Sequence, residues 1–152
     1  MSELFDLYKA TGNEIFTKKL CEIAPYFSTI EPQFVHLRPD YAEVTMPNTK
    51  KVHNHLGTVH AIAMCNLAEI AGGLLTDVSI PETFHWIPIG INAKYLAKAT
   101  TDLRAIAKGT DIDWHQPGDK NVVVKISDTN DLEVCRVSII VKVSLKKGET
   151  TC

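Results

Sequence analysis

Glu69 lies in the most apolar stretch of the chain, VHAIAMCNLAEIAGGLL over residues 59–75. An ionised carboxylate in such a setting is costly unless it is paired, hydrogen-bonded or open to a cavity. At helical spacing from it, positions 65, 66, 72 and 73 hold Cys, Asn, Gly and Gly, so no cation is within reach. Two readings follow. Glu69 is either a helix-edge side chain that reaches water, or a carboxylate at a cleft, its pKa raised by burial and poised for acid–base or nucleophilic work.

Directly upstream stands His53-Asn54-His55-Leu56-Gly57-Thr58-Val59-His60. Gly57 permits a tight turn, and the first turn of the helix that follows leaves free N–H groups at the positive end of its macrodipole. Such groups suit a developing oxyanion. The Asn54 amide can orient a water or a carbonyl, and His60 either shapes the helix start or joins the site. His53, His55 and His60 invite a metal reading, yet no carboxylate or cysteine follows them at ligand spacing, so neither a metal nor another cofactor is expected. His36, His85 and His115 are isolated and receive no role.

The elements that must position these groups are legible in the periodicity. Residues 59–76 are apolar on every side, which places a helix either inside protein or in a bilayer. A bilayer span of about 20 residues would have to hold His60, Asn66 and Glu69 at considerable cost. The expectation is therefore a core helix wrapped by a curved sheet, without membrane insertion. Residues 1–25 carry Leu4, Leu7, Tyr8, Ile15, Phe16, Leu20 and Ile23 at mostly helical spacing, with Gly12-Asn13 as a candidate interruption, Asn13 as its N-cap, and Ala24-Pro25 as the end.

Elsewhere the period is two. Val35 and Leu37, then Ala42, Val44 and Met46, alternate with polar residues around an Arg38-Pro39-Asp40 turn. Residues 85–97 read as a long strand in which Pro88 marks an edge or an irregularity. Residues 101–108 and 121–127 follow, and Cys135, Val137, Ile139, Val141, Val143 and Leu145 face one way in the last strand, joined to its predecessor by Asp128-Thr129-Asn130-Asp131. The fold class is α+β, an antiparallel sheet with one face buried.

At 152 residues the chain is read as one domain, 1–152. With 45% hydrophobic and 22% charged residues it is no disordered or fibrous sequence, and a net charge of −2 gives no case for nucleic acid or an anionic membrane as the main partner. Cys21, Cys65, Cys135 and Cys152 form no C-x-x-C pair, and Met-Ser-Glu-Leu-Phe-Asp lacks the pattern of a secretory signal, so a reducing, cytoplasmic setting is expected. Cys65 is read as a small core residue rather than a nucleophile. Lys94, Lys98, Lys142 and Lys146, near strand ends, are read as solvated surface charges.

The stretch N54-x-x-G57-x-x-H60-A61-I62 followed by L67-A68-E69 resembles the signature of hotdog-fold acyl-CoA thioesterases. The branch it is most similar to, that of phenylacetate-degradation thioesterases, carries N-x-x-G-x-x-H-G-G and then L-A-D. The resemblance implies a hotdog fold with residues 59–76 as the central helix, and Glu69 as the catalytic acid. It also implies that the Ala61 backbone N–H is the oxyanion donor and that the substrate is an acyl-CoA. Asn54 and His60 fall on the family's motif positions, with Gly57, Ile62 and Gly73 beside the substrate. Ala61-Ile62 replaces the family's Gly-Gly, and Ile62 narrows or reshapes the space beside the donor.

Helix geometry adds a constraint of its own. Nine residues from His60 to Glu69 advance about 13.5 Å and turn about 900°, leaving the two roughly half a turn apart. If both lie on one straight helix, they cannot converge on one small group within a chain. A two-fold dimer resolves this by setting the helix start of one subunit against Glu69 of the other, as hotdog thioesterases do. The expectation is a homodimer as the minimum, with a tetramer as its pairing. General-base attack by water and direct attack by Glu69 to give an anhydride both remain open. The rival class is a non-catalytic acyl-CoA, acyl-carrier or lipid-binding module on the same scaffold. A hotdog hydratase is less similar, since the chain has no Phe-Pro-Gly-type run after a histidine.

Overall fold

The computed structural model describes residues 2–148, so Cys152 and the extreme ends of the expected domain lie outside the described residues. Ser2 opens α1 (Glu3–Ile23) by accepting a hydrogen bond from the Phe5 N–H at 3.0 Å. Gly12, at φ +77 and ψ 179, kinks this helix where the sequence placed an interruption. Asn13 does not cap the second half as expected. Its side chain turns outward, accepting from the Tyr8 hydroxyl and donating to the Val35 carbonyl. After Ala24 a 3-10 turn, Pro25–Ile30, leads into the sheet.

Six strands follow: β1 (Gln33–Arg38), β2 (Tyr41–Met46), β3 (Phe84–Tyr95), β4 (Leu103–Lys108), β5 (Gly118–Ser127) and β6 (Glu133–Leu145). They form one antiparallel sheet in the order β1-β2-β4-β5-β6-β3. Between β2 and β3 runs α2 (Ala61–Ser79), against which the sheet curls. On β2 and β6 the inward side chains are those the alternation singled out: Ala42, Val44 and Met46, and Cys135, Val137, Ile139, Val141 and Val143, are all buried, as are Val122, Val124 and Ile126 on β5. On β1 a bulge between Phe34 and His36 shifts the phase, so Phe34 is buried with Leu37, and Val35, expected inward, is only half-buried. This is the hotdog arrangement, an α+β fold with one helix inside one sheet.

The central helix starts two residues later than the sequence suggested and ends three residues later. Val59 and His60 stay extended because their N–H groups donate to the Ala99 carbonyl at 2.8 Å and the Val52 carbonyl at 2.7 Å. At the other end the helix continues until Ile80, the residue before Pro81, is forced out of the α region. By length and a mean hydropathy of 1.3, α2 could cross a membrane, but 67% of that window is buried within the fold. Its apolar character is spent on the sheet. Gly72 shows how closely: a Cβ there would stand 3.0 Å from Ile139.

Candidate active site

Local hydrogen bonding builds the start of α2. The Asn54 side-chain oxygen accepts from the Leu56 and Thr58 N–H groups at 3.0 and 3.1 Å, while its amide donates to the Thr58 hydroxyl at 2.9 Å. Gly57, at φ +77, makes the reversal inside this loop, a conformation that favours glycine. The sequence assigned Asn54 to a water or carbonyl. The structure uses its oxygen to hold the loop and leaves one amide hydrogen.

His60 is the N-cap of α2, its Nδ1 accepting from the Ile62 N–H at 3.0 Å. The accepting nitrogen carries no proton, so the neutral ring bears its hydrogen on the outward Nε2. No acceptor among the described residues takes the Ala61 N–H, which remains available at the helix N-terminus. Ile62 beside it is exposed. A cleft of about 190 Å³ opens here between Tyr26, Lys51, His53, His60, Ile62 and Asn66. His53 bonds Asn48 through Nε2 at 2.6 Å, and among the described residues no three His, Cys, Asp or Glu side chains cluster as metal ligands would.

Ala61 and Glu69 share one unbroken helix, eight residues or about 12 Å apart along its axis. Within one protomer they cannot serve the same carbonyl.

Beyond its first turn α2 is buried except at Cys65, Glu69, Asp77 and the terminal Ser79. With Gly73, the first three lie at successive four-residue steps, one stripe along a single face. That stripe runs beside β3. Cys65 Sγ lies 3.5 Å from the Tyr95 hydroxyl, a Cβ at Gly73 would stand 3.0 Å from the Trp86 ring, and the Trp86 indole N–H donates to Asp77 at 3.2 Å. Glu69 therefore sits between two aromatic side chains of β3. No donor or cation among the described residues reaches its carboxylate, and burial alone pushes its pKa above the usual 4.5. Glu69 is half-buried in this protomer, so both sequence readings, a helix edge reaching water and a carboxylate at a cleft, stay open here.

Two expectations change in detail. Cys65 is a half-buried member of the stripe, not a core residue, and its hydrogen-bonded neighbour Tyr95 is pushed up to about 12, first by that bond and then by burial. The space above Gly73 is filled by Trp86, so in this protomer Gly73 admits a strand side chain. Trp86 and Tyr95 themselves were not singled out from sequence. The alternation in residues 85–97 was visible, but a bulge between Pro88 and Gly90 shifts its phase.

β3 is also an open sheet edge. Ile87, Ile89, Ile91, Tyr95 and Leu96 are all about half exposed along it. A long apolar edge of this kind is a template for another strand.

The helix-in-sheet fold, with an unpartnered acid beside an open edge, places the chain among hotdog proteins. Over residues 12–143 the sequence matches the family model described as Domain of unknown function (DUF4442), and the chain belongs to that family. It is similar to a crystal structure identified only as genomics APC5556, at 48% identity and a TM-score of 0.88, covering 95% of this chain and 97% of that one. The fold is shared with a Pseudomonas aeruginosa protein described as a probable thioesterase, PA5026, at 20% identity and a TM-score of 0.73, with 83% and 91% of the two chains covered. It is shared as well with the thioesterase HI1161 of Haemophilus influenzae, at 19% identity and 0.74, with 86% and 91% covered. No curated protein matches the sequence.

Proposed function

We propose that the chain hydrolyses an acyl-CoA thioester to the free acid and CoA at a composite site across a homodimer interface. The observation that carries this reading is Glu69 itself: a part-buried carboxylate with no partner among the described residues, on the least buried stripe of an apolar helix, beside an apolar sheet edge. Pairing of two β3 edges about a two-fold axis is the arrangement that would bring a second helix start to that acid. The thioesterases that share the fold support the chemistry.

In this reading the Ala61 N–H of one subunit polarises the thioester carbonyl, and Glu69 of the other takes a proton from water as the water oxygen attacks the carbonyl carbon. The charge that develops on the carbonyl oxygen falls on the helix N-terminus. Collapse of the tetrahedral species breaks the carbon–sulfur bond, and the CoA thiolate leaves and is protonated. Direct attack by Glu69, giving a mixed anhydride that water then cleaves, uses the same groups. Asn54 and His60 hold the turn that aims Ala61, and Gly57 and Ile62 line the approach. Dimers pairing into tetramers would bury more of the exposed isoleucines. The free thiols Cys21, Cys65 and Cys135 are in keeping with a cytoplasmic, reducing setting.

Release of free thiol from a panel of short, long and aromatic acyl-CoAs tests the reading. Wild type should release thiol, and Glu69→Gln and Glu69→Ala should lose about 10²- to 10⁴-fold in kcat while keeping their mass in solution. Acyl-CoA binding without hydrolysis, undisturbed by Glu69→Gln, would replace the enzyme with an acyl-binding module.

A further inference from the structure

Resting on the thioesterase reading, we propose that Trp86 closes one end of the acyl slot beside Glu69, so that the enzyme selects short acyl chains. The uncovered stripe of α2 is interrupted at two places. On one side of Glu69 stands the Cys65–Tyr95 contact, and on the other the Trp86 ring lies over Gly73. Each is one helical turn from Glu69, so the free length of helix on the Trp86 side is about 6 Å. That accommodates about four to six carbons, with bonds of about 1.5 Å advancing somewhat less than their length along a zigzag.

Trp86 is fixed in this position by three features. Gly73 removes the Cβ that would collide with the ring, Asp77 accepts the indole N–H, and the register opposite buried Val143 points the side chain toward the helix. A surface tryptophan would need none of these.

What lies beyond Trp86 gives the wall its significance. Trp86 and Asp77 also line a mostly polar cleft of about 770 Å³ between the starts of α1 and β3 and the end of α2, where Leu4 and Phe84 stand among Glu3, Asp6, Glu82 and Lys146. The indole stands between this cleft and the stretch of helix that bears Glu69. A chain long enough to pass Gly73 would find room there, and the ring keeps it out. Truncating Trp86 would open the stretch of helix at Glu69 to that cleft.

The test is a ladder of straight-chain acyl-CoAs from acetyl to hexadecanoyl, assayed for hydrolysis and, separately, for binding. Wild type should favour the short end. Trp86→Ala should raise the preference for dodecanoyl over butanoyl, measured as the ratio of kcat/KM values, about tenfold or more, what one buried methylene is worth in a hydrophobic pocket. Trp86→Phe should fall between them, and Asp77→Ala, which frees the indole without removing it, should shift the ratio in the same direction by less. If Trp86→Ala does not melt cooperatively, Trp86→Leu carries the test. Hydrolysis by wild type and variant with superimposable chain-length profiles overturns the wall and leaves the thioesterase reading intact. Absence of hydrolysis at every length overturns that reading, and the binding ladder then decides on Trp86 by the same ratio.

Discussion

The sheet ends in two edges that the chain treats in opposite ways. β1 is six residues long, bulged, and sealed by side chains of α1: Thr17 accepts from the Phe34 N–H at 3.1 Å, Tyr8 from the Leu37 N–H at 3.2 Å, and Asn13 donates to the Val35 carbonyl at 3.0 Å. β3 is twelve residues long, and no side chain among the described residues bonds to its outer backbone, while its isoleucines are exposed. One chain thus blocks strand addition on one side and invites it on the other. The inviting side is the one that carries Glu69. Edge and acid lie side by side, and the acid has no partner among the described residues, which is what the proposed dimer would answer.

The largest break in this contrast should come from Ile91→Lys. Ile91 lies opposite buried Ile139, on the helix-facing side of β3, yet is 54% exposed. Burying such a side chain contributes about 1.5–3 kcal/mol, and it would count twice in a two-fold interface. A charge there should weaken the assembly by about 3–6 kcal/mol, at least a hundredfold in the dissociation constant. Sedimentation should show monomers at concentrations where wild type is dimeric, with thiol release falling in parallel. A variant that stays assembled would mean that β3 is not the contact.

The covered edge should answer differently. Thr17→Val removes the acceptor of the Phe34 N–H in a buried position, which costs about 1–3 kcal/mol. The melting temperature should fall by about 3–10 °C, with mass in solution and chain-length profile unchanged. Altered assembly in this variant would show that β1, too, is a latent interface.

How much of this could be read from sequence depends on whether a signal was periodic. The β6 alternation and the all-round apolarity of α2 are repeated over many residues, so they survive local irregularity, and Pro88 marked the irregular edge strand correctly. The walls of the slot did not survive it. Before the bulge Trp86 and Pro88 face the helix, and after it Ile91, Ala93 and Tyr95 do, so an unbroken alternation from Trp86 would have turned Lys94 inward and Tyr95 out. Asn13 failed for another reason, and Asn54 shows the same ambiguity. An amide can satisfy its own loop or reach across to a neighbouring element, and composition does not distinguish these. Glu69 was legible because a lone acid in an apolar helix demands an explanation from any fold.

The finest comparison is between the two acids that the fold withdraws from water. Glu43, 8% exposed, accepts from the Tyr41 hydroxyl at 3.0 Å and meets Arg104 at 3.3 Å. Glu69 has neither. Its folded-state pKa lies above the usual 4.5, because burial penalises the charged form. Below the unfolded-state pKa both states hold the proton and the site imposes no penalty. As pH rises toward and through the folded value, the unfolded chain ionises more readily, and stability is lost. Glu69→Gln keeps the shape without the charge, so at dilutions where the chain is monomeric it should melt higher than wild type at neutral pH, with the gap closing as pH falls below about 4.5. Glu43→Gln should instead melt lower at neutral pH, having lost a paired charge. Thermal melts of both variants at pH 4 and pH 7 make the comparison. If Glu69→Gln were the less stable protein at neutral pH even as a monomer, the carboxylate would already have a partner in its own chain, and the need for a second subunit would be gone.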